Sequence, residues 1–322
     1  MYNINIMKIQ QIVIWGHKLH SHTHSYIHNG FFIGFKNLGY NVLWFDDNDN
    51  ISGIDFSHAL FITEHQVNKR IPLRKDCLYL THYLDNEDYI GIPKENIIIL
   101  KASLRDFVEK DEKGTQYKSL DYGQKYEYHS KIQDYNCLYM YWATDLLPEE
   151  IELNIKNLDN IKTNNEINFI GSMTHVWQEF KHVCSINNIQ FNNYGATFNI
   201  NSSRNVSIDT NVELIKKSFI SPALQDREQI SKNYIPCRIF KNISYGKMGI
   251  TNNPIVNELF DNALICDSNL IELLNKGSQF EKLPNKNETI IKLMKYVKDN
   301  HTYINRINTI KKYINEYTSF QI

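Results

Sequence analysis

The chain has 322 residues, a length that suits two domains and excludes a minimal binding module or a disulfide-rich miniprotein. It carries 35 Lys and Arg residues against 36 Asp and Glu residues, so no excess of positive charge is available to attract a nucleic acid. Hydrophobic residues make up 42% of the chain and aromatic residues 12%, which is typical of a folded protein rather than a disordered one.

Cysteine usage and the start of the sequence indicate a compartment. The five cysteines are odd in number and none forms a C-x-x-C pair, which argues against a disulfide framework or a zinc ribbon. The sequence does not open with a basic segment followed by an apolar run, and no stretch approaches the roughly 18 apolar residues that span a bilayer. We therefore expect a cytoplasmic protein, with the inner membrane surface as an alternative location.

The first half of the chain alternates short apolar runs with helix-like stretches, a pattern typical of parallel α/β sheets. Gln11–Trp15 is predicted as the first strand, followed by a helix over 25–38. Further strands are predicted at 42–45, 59–63, 77–81, 96–100 and 137–142. The charged, tyrosine-rich segment 109–131 is predicted as a surface excursion. This order predicts a Rossmann-like domain over residues 1–150, the expected acceptor-binding half of the protein.

A second cycle follows a connecting segment at 151–166. Strands are predicted at 167–170, 189–191 and 218–222, and helices at 177–187 and 211–217. The expected fold class is therefore α/β, with two Rossmann-like domains, 1–150 and 167–290, that face each other across a cleft. In such folds the ligand binds at the carboxyl ends of the strands.

The last segment, 291–322, is predicted to form C-terminal helices. Apolar residues recur there at helical spacing and lysines fall between them. Packing of the apolar faces on the core is one interpretation, and contact of a basic amphipathic helix with a membrane surface is the other.

The segment from Ser231 to Asn253 contains the most informative pattern. A helix is predicted between Pro236 and Gly246, and a strand at 248–251. Arg238 and Lys241 are three residues apart, so both project from one face near the helix start, where two cations and backbone N–H groups suit a pyrophosphate. A solvated helix face is the alternative. The other predicted ligand-binding residues are Gly171, Ser172, Asn242, Tyr245, Gly246, Thr251 and Asn252.

This order of helix, glycine, apolar strand and polar residue resembles the donor-binding segment of GT-B glycosyltransferases. Retaining members of that group carry an acidic residue where this chain has Lys241. The sequence Tyr-Ile-Pro-Cys-Arg-Ile-Phe-Lys-Asn at 234–242 is similar to Tyr-Ile-x-x-Lys-Leu-Trp-Arg-Asn of the α1,3-fucosyltransferases, where the basic residues hold the diphosphate of a guanine nucleotide sugar. Two features differ: Cys237 replaces the usual Glu, and the spacing to Gly246 is one residue shorter.

The resemblance implies a glycosyltransferase of glycan biosynthesis, moving a hexosyl or deoxyhexosyl group from a GDP- or UDP-sugar to a glycan or lipid-linked acceptor. No obligatory cofactor is expected, and the lack of a D-x-D motif between apolar residues argues against the metal-dependent single-domain class. The alternatives are a nucleotide-sugar epimerase and a non-catalytic nucleotide-sugar-binding protein of the same fold.

Histidines after the first predicted strand are candidates for the catalytic base. Histidine transfers protons near neutral pH, and an inverting transferase needs a base to deprotonate the acceptor hydroxyl. His24 is preferred because the start of the following helix lowers the pKa of a nearby histidine. His22 and Glu64 are the other predicted candidates, and His65 and His82 lie at the same predicted sheet edge.

The same loop offers two other interpretations. The spacing His20-x-His22-x-His24 matches zinc ligands, but alternate residues share a face on a strand, whereas this segment joins a strand to a helix. No metal site is therefore predicted. Histidines that only cap the helix or line the loop are the remaining alternative.

Overall fold

The structure is a computed structural model that describes residues 6–18, 23–85, 87–103, 118–194 and 207–322. Within these ranges the chain forms two compact units. The first comprises the described residues up to Asp145 together with Tyr303–Ile322, and the second is Leu146–Thr302.

The first unit contains a mixed sheet and a helix that connects its first two long strands. In chain order its elements are β1 (Met7–Lys8), β2 (Gln11–Trp15), α1 (Thr23–Asn37), β3 (Val42–Phe45), β4 (Ala59–Glu64), β5 (Leu78–His82), β6 (Ile97–Lys101), β7 (Lys118–Ser119), β8 (Tyr128–Ile132) and β9 (Tyr135–Tyr139). The main sheet has the order β3-β2-β4-β5-β6-β9-β8-β7 and is parallel from β3 to β9.

The central strands form where the sequence has continuous apolar runs, because a parallel strand is covered on both faces. Every residue of β4, β5 and β6 is buried, and β2 and β3 have the predicted bounds. Trp15, Phe61 and Tyr79 pack together on one face of the sheet. The predicted parallel α/β core of the first half is confirmed.

Strand order places a topological switch point at β2, which lies between β3 and β4. Ligands of open α/β sheets bind outside the carboxyl ends of the strands at such a point. The register sets Glu64 of β4 beside His82 of β5, and His82 beside Leu100 of β6. The fold therefore groups the carboxyl ends of β2, β4 and β5.

The part of the predicted surface excursion at 109–131 that the structure describes, 118–131, forms strands at the edge of the main sheet, and most of its residues are exposed or half-buried. Strands β7 and β8 lie there, and β8 pairs with β9 in an antiparallel hairpin. Gln133 and Asp134 form its two-residue turn with φ values of 50° and 70°, as a type I′ turn requires. Antiparallel edge strands expose one face, so their mixed sequence lacks the apolar run that marks the central strands.

The second unit has short strands and many helices. Its elements are α2 (Pro148–Lys156), β10 (Glu166–Phe169), α3 (His175–Ile186), β11 (Gln190–Asn193), α4 (Ile208–Lys217), α5 (Arg227–Ser231), α6 (Cys237–Ser244), β12 (Ile250–Thr251), α7 (Pro254–Leu259), β13 (Ile265–Cys266), α8 (Leu270–Glu281) and α9 (Lys286–Asn300). Strands β10 and β11 are parallel to each other, as are β12 and β13.

The predicted strand at 218–222 is not a strand in the structure. Its backbone bonds to β10 only at Phe219, whose N–H donates to Glu166 O at 2.7 Å. The N–H of Asn168 donates instead to the Ser218 side chain at 2.8 Å, and Pro222 has no N–H to offer. A serine side chain and a proline thus replace the ladder that the apolar pattern predicted.

The end of the chain divides differently from the predicted segmentation. Helix α9 belongs to the second unit, whereas α10 (Tyr303–Tyr317) and β14 (Phe320–Gln321) belong to the first. Helix α10 packs on α1 at Gly30, where an added Cβ would lie 2.2 Å from the Tyr303 ring. Helix α2 begins just before the predicted connection at 151–166 and continues into it. It is part of the second unit. Among the described residues, no helix is long and apolar enough to cross a membrane.

Candidate functional site

Four side chains from three strand ends and one helix meet in the first unit, and we call them the histidine–carboxylate cluster: His17, His24, Glu64 and His82. His17 Nε2 donates to Glu64 Oε2 at 2.6 Å. His24 Nδ1 lies 3.3 Å from the same oxygen, and His24 Nε2 lies 2.9 Å from His82 Nδ1. The cluster is a connected polar group at the switch point of the sheet.

The backbone that carries His17 is strained and held in place by its neighbours. His17 has a φ of 55°, a region that residues other than glycine seldom adopt. The preceding Gly16 has a φ of 89°, and a Cβ there would lie 2.2 Å from Val67. The carbonyl of Gly16 accepts hydrogen bonds from His28 Nδ1 at 2.7 Å and Trp44 Nε1 at 2.9 Å. Such strain persists where the surroundings fix it, and it often marks functional positions.

Rings pack around His24, the second residue of α1. The rings of His24 and His17 stack with centroids 5.4 Å apart, and Trp142 meets both His24 and His82 edge to face. The side chains of His17 and His24 are 10% and 14% exposed, so the cluster is largely shielded but reachable.

The cluster favours a charged carboxylate and a neutral histidine beside it. Burial by itself raises the pKa of Glu64, but the hydrogen bond from His17 and the charges of His24 and His17 outweigh it and lower this pKa to about 2. Burial lowers the pKa of His82 to about 3, although the Glu64 charge acts in the opposite direction. Lys101, at the end of β6, adds to the lowering.

These shifts predict acid sensitivity. The unfolded chain protonates His82 near pH 6.5 and Glu64 near 4.5, whereas the folded chain does so only near 3 and 2. The two groups therefore contribute their full share to the free energy of unfolding above their unfolded pKa values, and this contribution is lost as the pH falls. The free energy of unfolding then decreases by up to about 1.4 kcal/mol per pH unit for each titrating group. Urea unfolding between about pH 4.5 and 7.5 measures it.

His82→Gln keeps a hydrogen-bonding side chain but cannot titrate, so its stability is expected to fall less between pH 6.5 and 4.5. The exposed His182, changed to Gln, serves as the matched control and should leave the slope unchanged. An equal slope in His82→Gln and wild type would contradict the assignment.

In the second unit the structure brings Arg238 against Gly171. Arg238 is the second residue of α6, and its Nη1 donates to Ile170 O at 2.9 Å. A Cβ at Gly171 would lie 2.7 Å from Arg238 Nη2. The guanidinium also lies over the rings of Phe169 and Trp177, at 4.6 and 5.5 Å. Ser172, beside Gly171, and Lys241, one turn along α6 from Arg238, are partly buried.

The other residues predicted to bind the ligand are engaged inside the second unit. Asn242 donates to Ser221 O at 2.7 Å, and the Asn252 amide exchanges two hydrogen bonds with the backbone of Gln225. Thr251 is fully buried and accepts from the Asn253 N–H. Tyr245 and Gly246 are likewise buried and end α6, Gly246 with a φ of 93°. In this structure their polar groups support the fold.

Among the predicted base candidates, the structure brings His24 and Glu64 together, and His22 lies outside the described residues. Sequence reasoning gave no role to His28, Lys101 or Trp142, which surround the cluster. Lys101 could have been found because it directly follows a predicted strand, as His82 does. The structure shows that these two strands are neighbours in the sheet.

Comparisons with known proteins add little. No family model matches the chain, and no curated protein matches it either. Among solved structures it is similar to an alpha,alpha-trehalose-phosphate synthase (UDP-forming) from Burkholderia xenovorans in complex with glucose-6-phosphate, with a TM-score of 0.47 and 8% identity over 74% of this chain and 73% of that one. Because a fold alone does not determine function, the activity proposed below rests on this chain's residues.

Proposed function

We propose that the chain is a glycosyltransferase that moves a sugar from a GDP- or UDP-linked donor to a hydroxyl of a glycan or lipid-linked acceptor. The observation that carries this proposal is the Arg238 guanidinium, fixed against Gly171 at the carboxyl end of β10. The proposed donor contacts are Gly171, Ser172, Arg238 and Lys241.

The surroundings of Arg238 support a role in anion binding. Its hydrogen bond to Ile170 O and its stacking on Phe169 hold the planar guanidinium in one orientation before any ligand arrives. A group held in this way loses less conformational entropy on binding than a solvated side chain does. Because Gly171 has no Cβ, the guanidinium can lie directly against its backbone.

Lys241 and the start of α6 add positive potential to the same region. Lys241 follows Arg238 by three residues, so the two side chains leave the helix on one face. The N-terminus of a helix carries partial positive charge and backbone N–H groups. Together these groups would neutralise the charge that grows on a departing diphosphate.

The histidine–carboxylate cluster is the proposed source of the base that activates the acceptor. His24 would accept the acceptor's proton, and the ionised Glu64, whose Oε2 lies 3.3 Å from Nδ1, would stabilise the imidazolium that forms. The proton would go to Nε2, the nitrogen that does not face Glu64, so the acceptor hydroxyl would take the place of His82 Nδ1, which lies 2.9 Å from Nε2 in this structure.

Replacing Arg238 with Ala is expected to weaken the binding of GDP or UDP by about 1.5–3 kcal/mol, the range for a hydrogen bond to a charged group. Isothermal titration calorimetry with GDP, UDP and their sugars measures this loss, and Lys241→Ala should weaken binding in the same direction. The exposed Arg227, changed to Ala, is the matched control because it removes the same charge from the same unit.

Binding of no nucleotide by the wild type would refute the proposal. A loss of thermal stability in Arg238→Ala with unchanged nucleotide affinity would assign Arg238 to the fold alone. Conversion of the donor without an acceptor would identify an epimerase, and a donor that is bound but neither hydrolysed nor transferred would identify a binding protein.

A further inference from the structure

Three atoms of the histidine–carboxylate cluster converge in the way that metal ligands do. His17, His24 and Glu64 each offer one ligand atom within 4.8 Å of the other two, and His17 Nε2 and His24 Nδ1 both face Glu64 Oε2. Bonds of about 2.0–2.2 Å to a tetrahedral Zn²⁺ would set neighbouring ligand atoms roughly 3.4 Å apart. The 3.3 Å between His24 and Glu64 already meets this spacing, and the 2.6 Å between His17 and Glu64 requires a small opening.

Both ring nitrogens of His24 lie within the cluster. Nδ1 is 3.3 Å from Glu64 Oε2, and Nε2 is 2.9 Å from His82 Nδ1. A neutral imidazole has one N–H and one lone pair. With the N–H on Nε2 donated to His82, the lone pair on Nδ1 is the one that a metal ion beside Glu64 would use.

The residues that contact the three proposed ligands resemble those that orient the ligands in known metal sites. Metal-bound histidines usually donate their other ring N–H to a fixed partner, which sets the tautomer and the ring orientation. His82 Nδ1 is such a partner for His24, and Trp142 packs edge to face on both rings. The strained φ of 55° at His17 aims its ring at Glu64 although the strand has already ended.

We propose that His17, His24 and Glu64 bind one divalent transition-metal ion of the Zn²⁺ class, through two imidazole nitrogens and one carboxylate oxygen. Two histidines and one carboxylate leave further coordination positions open for water or a ligand. Mg²⁺ and Ca²⁺ prefer oxygen ligands, so the nitrogen-rich set selects against them. The sequence predicted no metal site here: the spacing His20-x-His22-x-His24 did not suit a loop that joins a strand to a helix, and the Glu64 carboxylate comes from another strand.

The proposed metal site does not depend on the transferase activity, but a bound metal ion would restrict that activity. A metal ion on Nδ1, with Nε2 bonded to His82, leaves His24 no lone pair with which to accept a proton. The metal-loaded and metal-free proteins are therefore expected to differ in turnover, and metal binding must be measured directly rather than through activity.

The test uses the full chain, stripped of metal by dialysis against a chelator. Zn²⁺ is titrated in competition with a chromophoric chelator, and Co²⁺ is added separately to record its visible absorption. We expect one equivalent of Zn²⁺ to bind, Mg²⁺ not to compete, and Co²⁺ to show the spectrum of a site with nitrogen ligands.

Variants identify the ligands. His17→Ala, His24→Ala and Glu64→Gln should each weaken Zn²⁺ binding by at least about 100-fold, and His82→Ala by about 10–100-fold, the range for a residue that orients a ligand. His182→Ala, an exposed histidine in the second unit, should have no effect. Because a ligand variant can lose its fold, the thermal midpoint with and without Zn²⁺ is measured for each: Zn²⁺ should raise it in the wild type and not in His24→Ala.

Absence of stoichiometric Zn²⁺ binding by the wild type would overturn the proposal, as would folded ligand variants that keep wild-type affinity. Titration of GDP or UDP into the same metal-free samples reports on the donor site through Arg238. A protein that binds nucleotide but no metal thus refutes only the metal site. A protein that binds metal but no nucleotide refutes only the proposed function.

Discussion

Replacing Arg306 with Met is expected to lower the free energy of unfolding of the first unit by about 3–5 kcal/mol, the cost of removing one partner of a buried ion pair. Arg306 of α10 is fully buried, and its Nη1 lies 3.5 Å from Glu127 Oε1. Its Nε donates to Tyr141 O at 2.8 Å, and its guanidinium lies over the Tyr141 ring. The Met side chain fills similar space but leaves Glu127 without its cation.

The electrostatics of Glu127 explain the size of this effect. Burial raises the pKa of Glu127, and Arg306 opposes that rise. Without Arg306 the carboxyl must either stay charged in an apolar environment or take up a proton. Thr309 donates a hydrogen bond to it at 2.7 Å, which satisfies only part of the group.

Urea unfolding followed by tryptophan fluorescence measures the loss. The double variant Arg306→Met with Glu127→Gln should recover part of it, because no charge is left buried. Arg74→Met is the matched control: Arg74 pairs with Asp76 on the surface, where solvent screens the pair, so little stability should be lost. Equal losses in Arg306→Met and Arg74→Met would show that the buried pair does not anchor α10.

Replacing His24 with Asn is expected to lower turnover of the metal-free protein by on the order of 10²–10⁴, with the affinity for the nucleotide donor nearly unchanged. The reason is that Asn can take part in hydrogen bonds but cannot accept the acceptor's proton, whereas His24 can, with Glu64 beside it. Release of the nucleotide diphosphate, with and without acceptor, gives kcat, and calorimetry gives the donor affinity.

His182→Asn controls for the substitution itself, since His182 is exposed in the second unit. A dispensable His24, with turnover abolished by His22→Asn or Glu64→Gln, would move the base to another residue of the same loop or strand end. Equal loss of donor affinity and turnover in His24→Asn would instead argue that His24 supports binding.

Part of the cluster follows from the sequence, because an apolar run ending in a polar residue places that residue at the carboxyl end of a strand. Glu64, His82 and Lys101 each end a predicted strand or follow it directly. The sequence does not reveal which strands are neighbours. His82 meets His24 only because β4 and β5 pair in a register that sets it beside Glu64.

The donor segment shows a different limit. Its helix at 237–244 and the strand end at 250–251 lie where the pattern predicts. A sequence does not show whether a polar side chain is satisfied by a ligand or by the chain itself. Asn242 and Asn252 bond to backbone groups of Ser221 and Gln225, and Arg238 alone of the three lies against the Gly171 turn.

The sequence by itself determined the α/β class of the first half, the positions of its buried strands to within one to three residues and the presence of histidines after the first of them. These depend on local composition, since a strand covered on both faces must be apolar along its length. Strand order, the β8–β9 hairpin, the placement of α10 on the first unit and the meeting of His17 with Glu64 were decided only by the tertiary structure. Strand order, the α10 packing and the contact of His17 with Glu64 join residues distant in the chain, so they leave no local pattern in the sequence. The hairpin is local, but its strand β8 lacks the apolar run that marks the buried strands.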